Sequence, residues 1–116
     1  MLKNNYEAIE KAFNYLNAVV VYIDENFFIK YVNEKAALHF EKYGGKDLIG
    51  KSALECNFEN SSRKLNSMYE SFKNKEIKTK EFNNILEDRT QHIVYLPIYE
   101  DENVFKGCVE LQYYTF

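Results

Sequence analysis

At 116 residues the chain holds one domain, since single domains centre on roughly 100–150 residues and a second core does not fit. Apolar residues make up 46%, with ten Tyr, nine Phe and no Trp, which is an ordinary globular composition able to build a ring-rich core. Eighteen acids against fifteen bases, a formal charge of −3 spread along the chain, leave no basic stripe for phosphate neutralisation, so nucleic acid is not expected as a partner.

No apolar run approaches the roughly 18–20 residues that a membrane span needs, and the first residues carry no hydrophobic signal region. A cytoplasmic protein with no membrane partner is expected. Cys56 and Cys108 are too few and too isolated for a disulfide framework or a zinc site, which takes about four clustered ligands, so both are expected as reduced thiols with no metal bound. The bases are 13 Lys and two Arg (Arg63 and Arg89) beside many Asn, a bias that fits an AT-rich bacterial genome.

In residues 2–16, Leu2, Tyr6, Ile9, Phe13 and Leu16 recur at spacings of four and three, which places them on one face of an amphipathic helix. The spacing averages that of a two-helix seam, and two readings stay open: the helix caps its own domain, or these five residues form a homodimer interface. An apolar run over 18–23 then stops at Asp24-Glu25-Asn26, and an aromatic and β-branched run continues to Val32. Two β-rich runs joined by so short a polar connection pair as antiparallel neighbours. Asn33 can cap the helix that follows, whose expected buried stripe is Ala36, Ala37, Phe40 and Tyr43, ending at Gly44-Gly45. Ser52 and Glu55 fit a capping box opening a further short helical turn.

The clearest helix spans 61–74, with Leu65, Met68, Tyr69 and Phe72 on one face. Three β-rich runs complete the chain at 77–86, 90–99 and 104–115, separated by acidic turns of hairpin length. Pro97 lacks an amide donor and makes its strand irregular near its end. Strict alternation in the last run puts Phe105, Gly107, Val109, Leu111 and Tyr113 on one face and Lys106, Cys108, Glu110 and Gln112 on the other. Strands and helices kept in separate runs indicate an α+β fold: an antiparallel sheet with helices gathered on one face.

Asp24, a short turn, a strand, Asn33, a helix and Leu48-Ile49-Gly50, followed later by Leu96-Pro97-Ile98, an acidic turn and a Gly-bearing strand, come in an order that resembles the PAS domains. These are small sensor and interaction modules of bacterial signalling proteins, and the pattern is similar to their S-box type. The resemblance covers 17–116 as a PAS-like domain, preceded by the helix of 1–16, and implies a five-stranded antiparallel sheet. Cofactors of known relatives find no matching residues. Ala53 stands where flavin-binding relatives carry an adduct-forming Cys, and residues 57–74 offer no His for a haem iron. Neither Cys has the context of the cinnamoyl-type photoreceptors, and the Arg, His and Lys cluster of carboxylate-binding relatives is not evident. No cofactor is therefore expected, with haem and flavin disfavoured.

No catalytic triad, Walker loop or glycine-rich phosphate cradle is present, so no enzymatic activity is expected. A small α+β-cone enzyme would need a buried Asp, Glu or His facing its cavity. Two other readings remain. A sensory module would hold a small hydrophobic or aromatic ligand among Phe40, Leu54, Cys56, Leu65, Met68, Tyr69, Phe72, Val109 and Leu111. An interaction module would have those side chains fill the space and would dimerise or dock. No output domain follows the last strand in these 116 residues, so two readings stay open: a complete chain acts through another signalling protein, and an excised piece had its output elsewhere in a longer protein.

Overall fold

The computed structural model describes residues 2–55 and 61–116, with side chains over 7–55 and 63–116. In chain order the elements are α1 (Leu2–Phe13), β1 (Val19–Asp24), β2 (Ile29–Val32), α2 (Glu34–His39), two 3-10 turns (Glu41–Tyr43 and Gly45–Leu48), α3 (Ser61–Lys73), β3 (Lys80–Ile85), β4 (Thr90–Tyr99) and β5 (Phe105–Thr115). The five strands form one antiparallel sheet in the order β2-β1-β5-β4-β3. The expected α+β architecture is present. Because β1 and β5 are the central pair, the N-terminal hairpin and the C-terminal three-stranded meander share one core.

Two polar side chains organise the first half. The Asp24 carboxylate accepts from the amides of Asn26 and Phe28, both at 2.9 Å, and so shapes the β1–β2 turn. Phe27 adopts φ 70° at the turn's tip, and its ring lies 4.4 Å from that of Tyr69, nearly parallel. Asn33 is fully buried and uses its whole hydrogen-bonding capacity. Its Oδ1 accepts from Ala36 N (2.9 Å), capping α2, and from Val20 N (3.0 Å). Its Nδ2 donates to Phe13 O (3.1 Å) and Ala18 O (2.9 Å), which ties the end of α1 to the start of β1.

That tie also ends α1 earlier than its apolar spacing implies. After Phe13 the amides of Asn14, Tyr15 and Leu16 reach carbonyls only three residues back, and the chain turns into β1. Leu16 therefore does not share a helix face with Ile9 and Phe13. α2 stops at His39 and tightens into 3-10 turns, so Tyr43 is 41% exposed rather than part of a buried stripe. Ser52 opens a turn, its hydroxyl accepting from Leu54 N and its carbonyl from Glu55 N, and the residues that would continue it lie outside those described. The segment 50–53 bonds to Phe27 and Ile29 and covers the free edge of β2. β3 begins at Lys80 instead of 77, and Ile77 packs against the core from the preceding turn.

α2 and α3 cover one sheet face. Val19, Val21 and Ile23 of β1 point into it, with Leu65, Met68, Tyr69 and Phe72 of α3 packed above. Each such side chain, fully buried, contributes about 1.5–3 kcal/mol of transfer free energy. The end of α1 lies against the opposite face: the Tyr31 hydroxyl donates to Glu10 O, and its ring sits 6.1 Å from that of Phe13.

β5 reverses the alternation read from its sequence. Ile98 pairs with Gly107 but Tyr99 pairs with Phe105, leaving Lys106 without an opposite residue on β4. This bulge puts Phe105 and Cys108, three residues apart, on the same inner face. From Cys108 onward Cys108, Glu110 and Gln112 therefore point inward, opposite Ile23, Val21 and Val19. Val109 and Leu111 point outward, where they pair with Tyr22 and Val20 on one side and with Leu96 and Val94 on the other. Pro97 sits beyond the end of β3, where that flank of β4 has no partner strand.

Candidate functional site

The space between α3 and the inner sheet face divides into a filled half and an open half. In the filled half Phe105 meets Tyr69 edge-on at 4.9 Å, Phe72 at 6.1 Å and Tyr99 at 5.9 Å. The Tyr69 hydroxyl lies 3.1 Å from Ile23 O and 2.9 Å from Asp24 O, and accepts from the Cys108 thiol at 3.7 Å. Burial holds the Tyr69 phenol far above its ordinary range, with the neighbouring Cys108 adding to it. Burial likewise pushes the Cys108 thiol up to about 12, so it is a protonated packing group rather than a nucleophile.

Moving toward β3 and the start of α3, the packing among the described residues opens. A cavity of about 20 Å³ lies beneath Leu65, Phe40 and Tyr95, with Glu110 in its wall. That is room for about one water. Beyond Leu65 and Tyr95 the space opens into a groove of about 730 Å³ between α3 and the β3–β4 hairpin, within the size range of small-molecule sites. Its floor is Leu65, Met68, Ile77, Phe82, Ile93 and Tyr95, and Ser67, Ser71, Asn84 and Gln91 supply polar groups. Arg63, Lys64 and Lys80 stand at its rim.

A row of amides runs from this groove to the interior along the inner sheet face. Asn84 Nδ2 donates to Gln91 Oε1 at 3.0 Å, Gln91 Nε2 to Gln112 Oε1 at 3.2 Å, and Gln112 Nε2 to Glu110 Oε2. Each amide donates in the same direction, so the row ends on a carboxylate only 6% exposed. Gln112 is 2% exposed, and this row satisfies both ends of its amide.

Comparison with solved structures places this arrangement among known folds. A C-terminal domain from Streptococcus mutans superposes with a TM-score of 0.75 at 15% identity, over 92% of this chain and 82% of that one. A PAS domain from Colwellia psychrerythraea gives 0.65 at 19% identity, over 93% and 94%. A sensory box sensor histidine kinase structure from Vibrio cholerae gives 0.64 at 16% identity, over 99% and 95%. The chain has the PAS fold. No family model and no curated protein matches the sequence.

Within this PAS fold the residues expected around a ligand are dispersed. Phe40 and Leu65 line the small cavity, and Leu65 and Met68 line the groove. Tyr69 and Phe72 belong to the ring cluster, and Leu54 packs at the edge of the core. Cys56 lies outside the described residues. Val109 and Leu111 are on the outer face and line neither space, a correction that follows from the β5 bulge. In their place stand Glu110 and Gln112, which uninterrupted alternation had put toward solvent. The glycine within β5 was the available signal, since a glycine inside a strand marks a bulge or a close backbone approach. The rim of Arg63, Lys64 and Lys80 has no local sequence signal, because fifteen residues separate Lys64 from Lys80.

Proposed function

We propose that this chain is a sensory or signalling module that binds a small molecule with an apolar or aromatic body in the groove between α3 and the β3–β4 hairpin, and acts through another signalling protein. The groove carries this reading: an apolar floor with a few convergent polar groups is what a small-molecule site requires, and it adjoins the core without being filled by it. The likeness to PAS domains and a sensor kinase structure supports the signalling role through the fold. α3 is the element placed to report occupancy, since one face touches the groove through Met68 and the ring cluster through Tyr69 and Phe72. The chain has no Trp, so Phe82→Trp places a single tryptophan, excited selectively beyond the ten tyrosines, on the groove floor. Titrating that variant with aromatic and aliphatic fragments should give a saturable emission change together with a rise in the melting temperature of the parent. A library in which no compound does either would contradict the reading.

Self-association is a second part of the proposal, supported by Ile9 at 51% and Leu16 at 47% exposure. Phe13 is half-buried on Tyr31, and the side chains of Leu2 and Tyr6 lie outside those described. Light scattering on Ile9→Asp should give a smaller species than the parent; the same mass for both would remove this part.

A further inference from the structure

We infer that the ligand of this groove is an amphipathic organic anion, whose negative head meets Arg63, Lys64 and Lys80 while its apolar body lies inward on Phe82, Met68 and Ile93. The inference rests on the groove being a ligand site, and adds the charge and the orientation of what fills it. Its basis is an imbalance. The chain as a whole carries three more acids than bases, yet among the described residues the groove's lining contains three cationic side chains and no acidic one. None of the three is in an ion pair among the described residues.

The cations are also held where a head group would need them. Lys64 Nζ lies 5.8 Å and Lys80 Nζ 5.4 Å from the centroid of the Phe82 ring, so one ring on the apolar floor holds ammonium groups from both α3 and β3 near it. An anion entering there meets two charges from different elements, beside Arg63 one position along α3. Desolvation is modest because all three are exposed, and attraction survives at the groove mouth where the apolar floor excludes part of the water. The inward end is mostly apolar: the cavity that shares Leu65 and Tyr95 with the groove is lined largely by Val21, Ile23, Ile29, Val32 and Phe40. Cations at the mouth and apolar side chains inward therefore select one orientation, head out and body in.

A matched pair of dyes tests this: 1-anilinonaphthalene-8-sulfonate, and N-phenyl-1-naphthylamine, which has the same rings without the sulfonate. Both would be titrated by fluorescence into the full chain and into a triple variant, Arg63→Gln, Lys64→Gln and Lys80→Gln, whose positions are exposed and outside the core. The expected result is one saturable site that binds the sulfonate at least about tenfold more tightly than the neutral dye, with a preference that shrinks as salt is added. The triple variant should lose that preference and keep its affinity for the neutral dye. Equal binding of the two dyes by the parent, or an unchanged preference in the triple variant, would overturn the anion inference while leaving the groove reading in place. Binding of neither dye would overturn both.

Discussion

Gly107 packs directly onto the backbone between Ile23 and Asp24, so closely that a Cβ at this position would stand 2.7 Å from both Cα and C of Asp24. Its φ of 118° is one that side chains rarely adopt. The bulge beside it sets which side chains of β5 face the core. Gly107→Ala should therefore cost about 2–4 kcal/mol, combining backbone strain with overpacking against atoms that cannot move away. Urea denaturation monitored by circular dichroism measures it, and a loss below about 1 kcal/mol would mean that the bulge is not fixed by this contact.

Asn33 supports a prediction of similar size for a different reason. Replacing it by Ala removes a helix cap and strips partners from Val20 N and from two carbonyls, giving an expected loss of about 2–4 kcal/mol. Asn33→Asp keeps the cap acceptor but sets a charge against the carbonyls of Phe13 and Ala18, so it should not restore the parent's stability. A fully stable Asp variant would show that the two donated bonds contribute nothing.

The filled and open halves of the inner space should respond differently to truncation. Phe72 is fully buried among rings, and Phe72→Ala should cost about 3–5 kcal/mol. Met68 is buried but borders the groove as well as the core, so its truncation leaves a smaller enclosed void and Met68→Ala should cost less, about 1–2 kcal/mol. Equal losses from the two would mean that the groove closes in solution.

How far the sequence carried depends on whether a feature is local. The α3 stripe of Leu65, Met68, Tyr69 and Phe72 was legible because helical spacing alone selects it, and all four are buried. Asn33 was legible as a cap because capping acts within three residues, but its bonds to Val20, Phe13 and Ala18 depend on how α1 meets β1 and could not be read. The face of β5 was misread because period-two counting passes over a one-residue bulge, and a single such slip exchanges Val109 and Leu111 for Cys108, Glu110 and Gln112. The groove's charge was not legible at all: pairing of Lys80 with Tyr95 places that lysine opposite α3, and no local pattern encodes the pairing.

The buried thiol and phenol give stability a fixed dependence on alkaline pH. Cys108 is raised from 9.0 to about 12, so the unfolded chain releases this proton first; its stabilisation is intact below pH 9.0 and is lost as pH rises through that window. The slope is about 1.4 kcal/mol per pH unit. Tyr69 acts in the same direction above the ordinary tyrosine value of 10.0. Comparing the parent with Cys108→Ala between roughly pH 8 and 10.5 isolates the thiol, and the parent's advantage should shrink as pH rises. A constant difference across that range would contradict the burial of this proton.

The central claim is that a ligand enters the groove on the inner face of the sheet, and methyl NMR tests it most directly. With Ile, Leu, Val and Met methyls labelled, titration with 1-anilinonaphthalene-8-sulfonate should shift Leu65, Met68, Ile77 and Ile93, which line the groove, and leave Val109 and Leu111 of the outer face in place. Shifts concentrated at Val109, Leu111 and Val94, with the groove methyls unmoved, would contradict it.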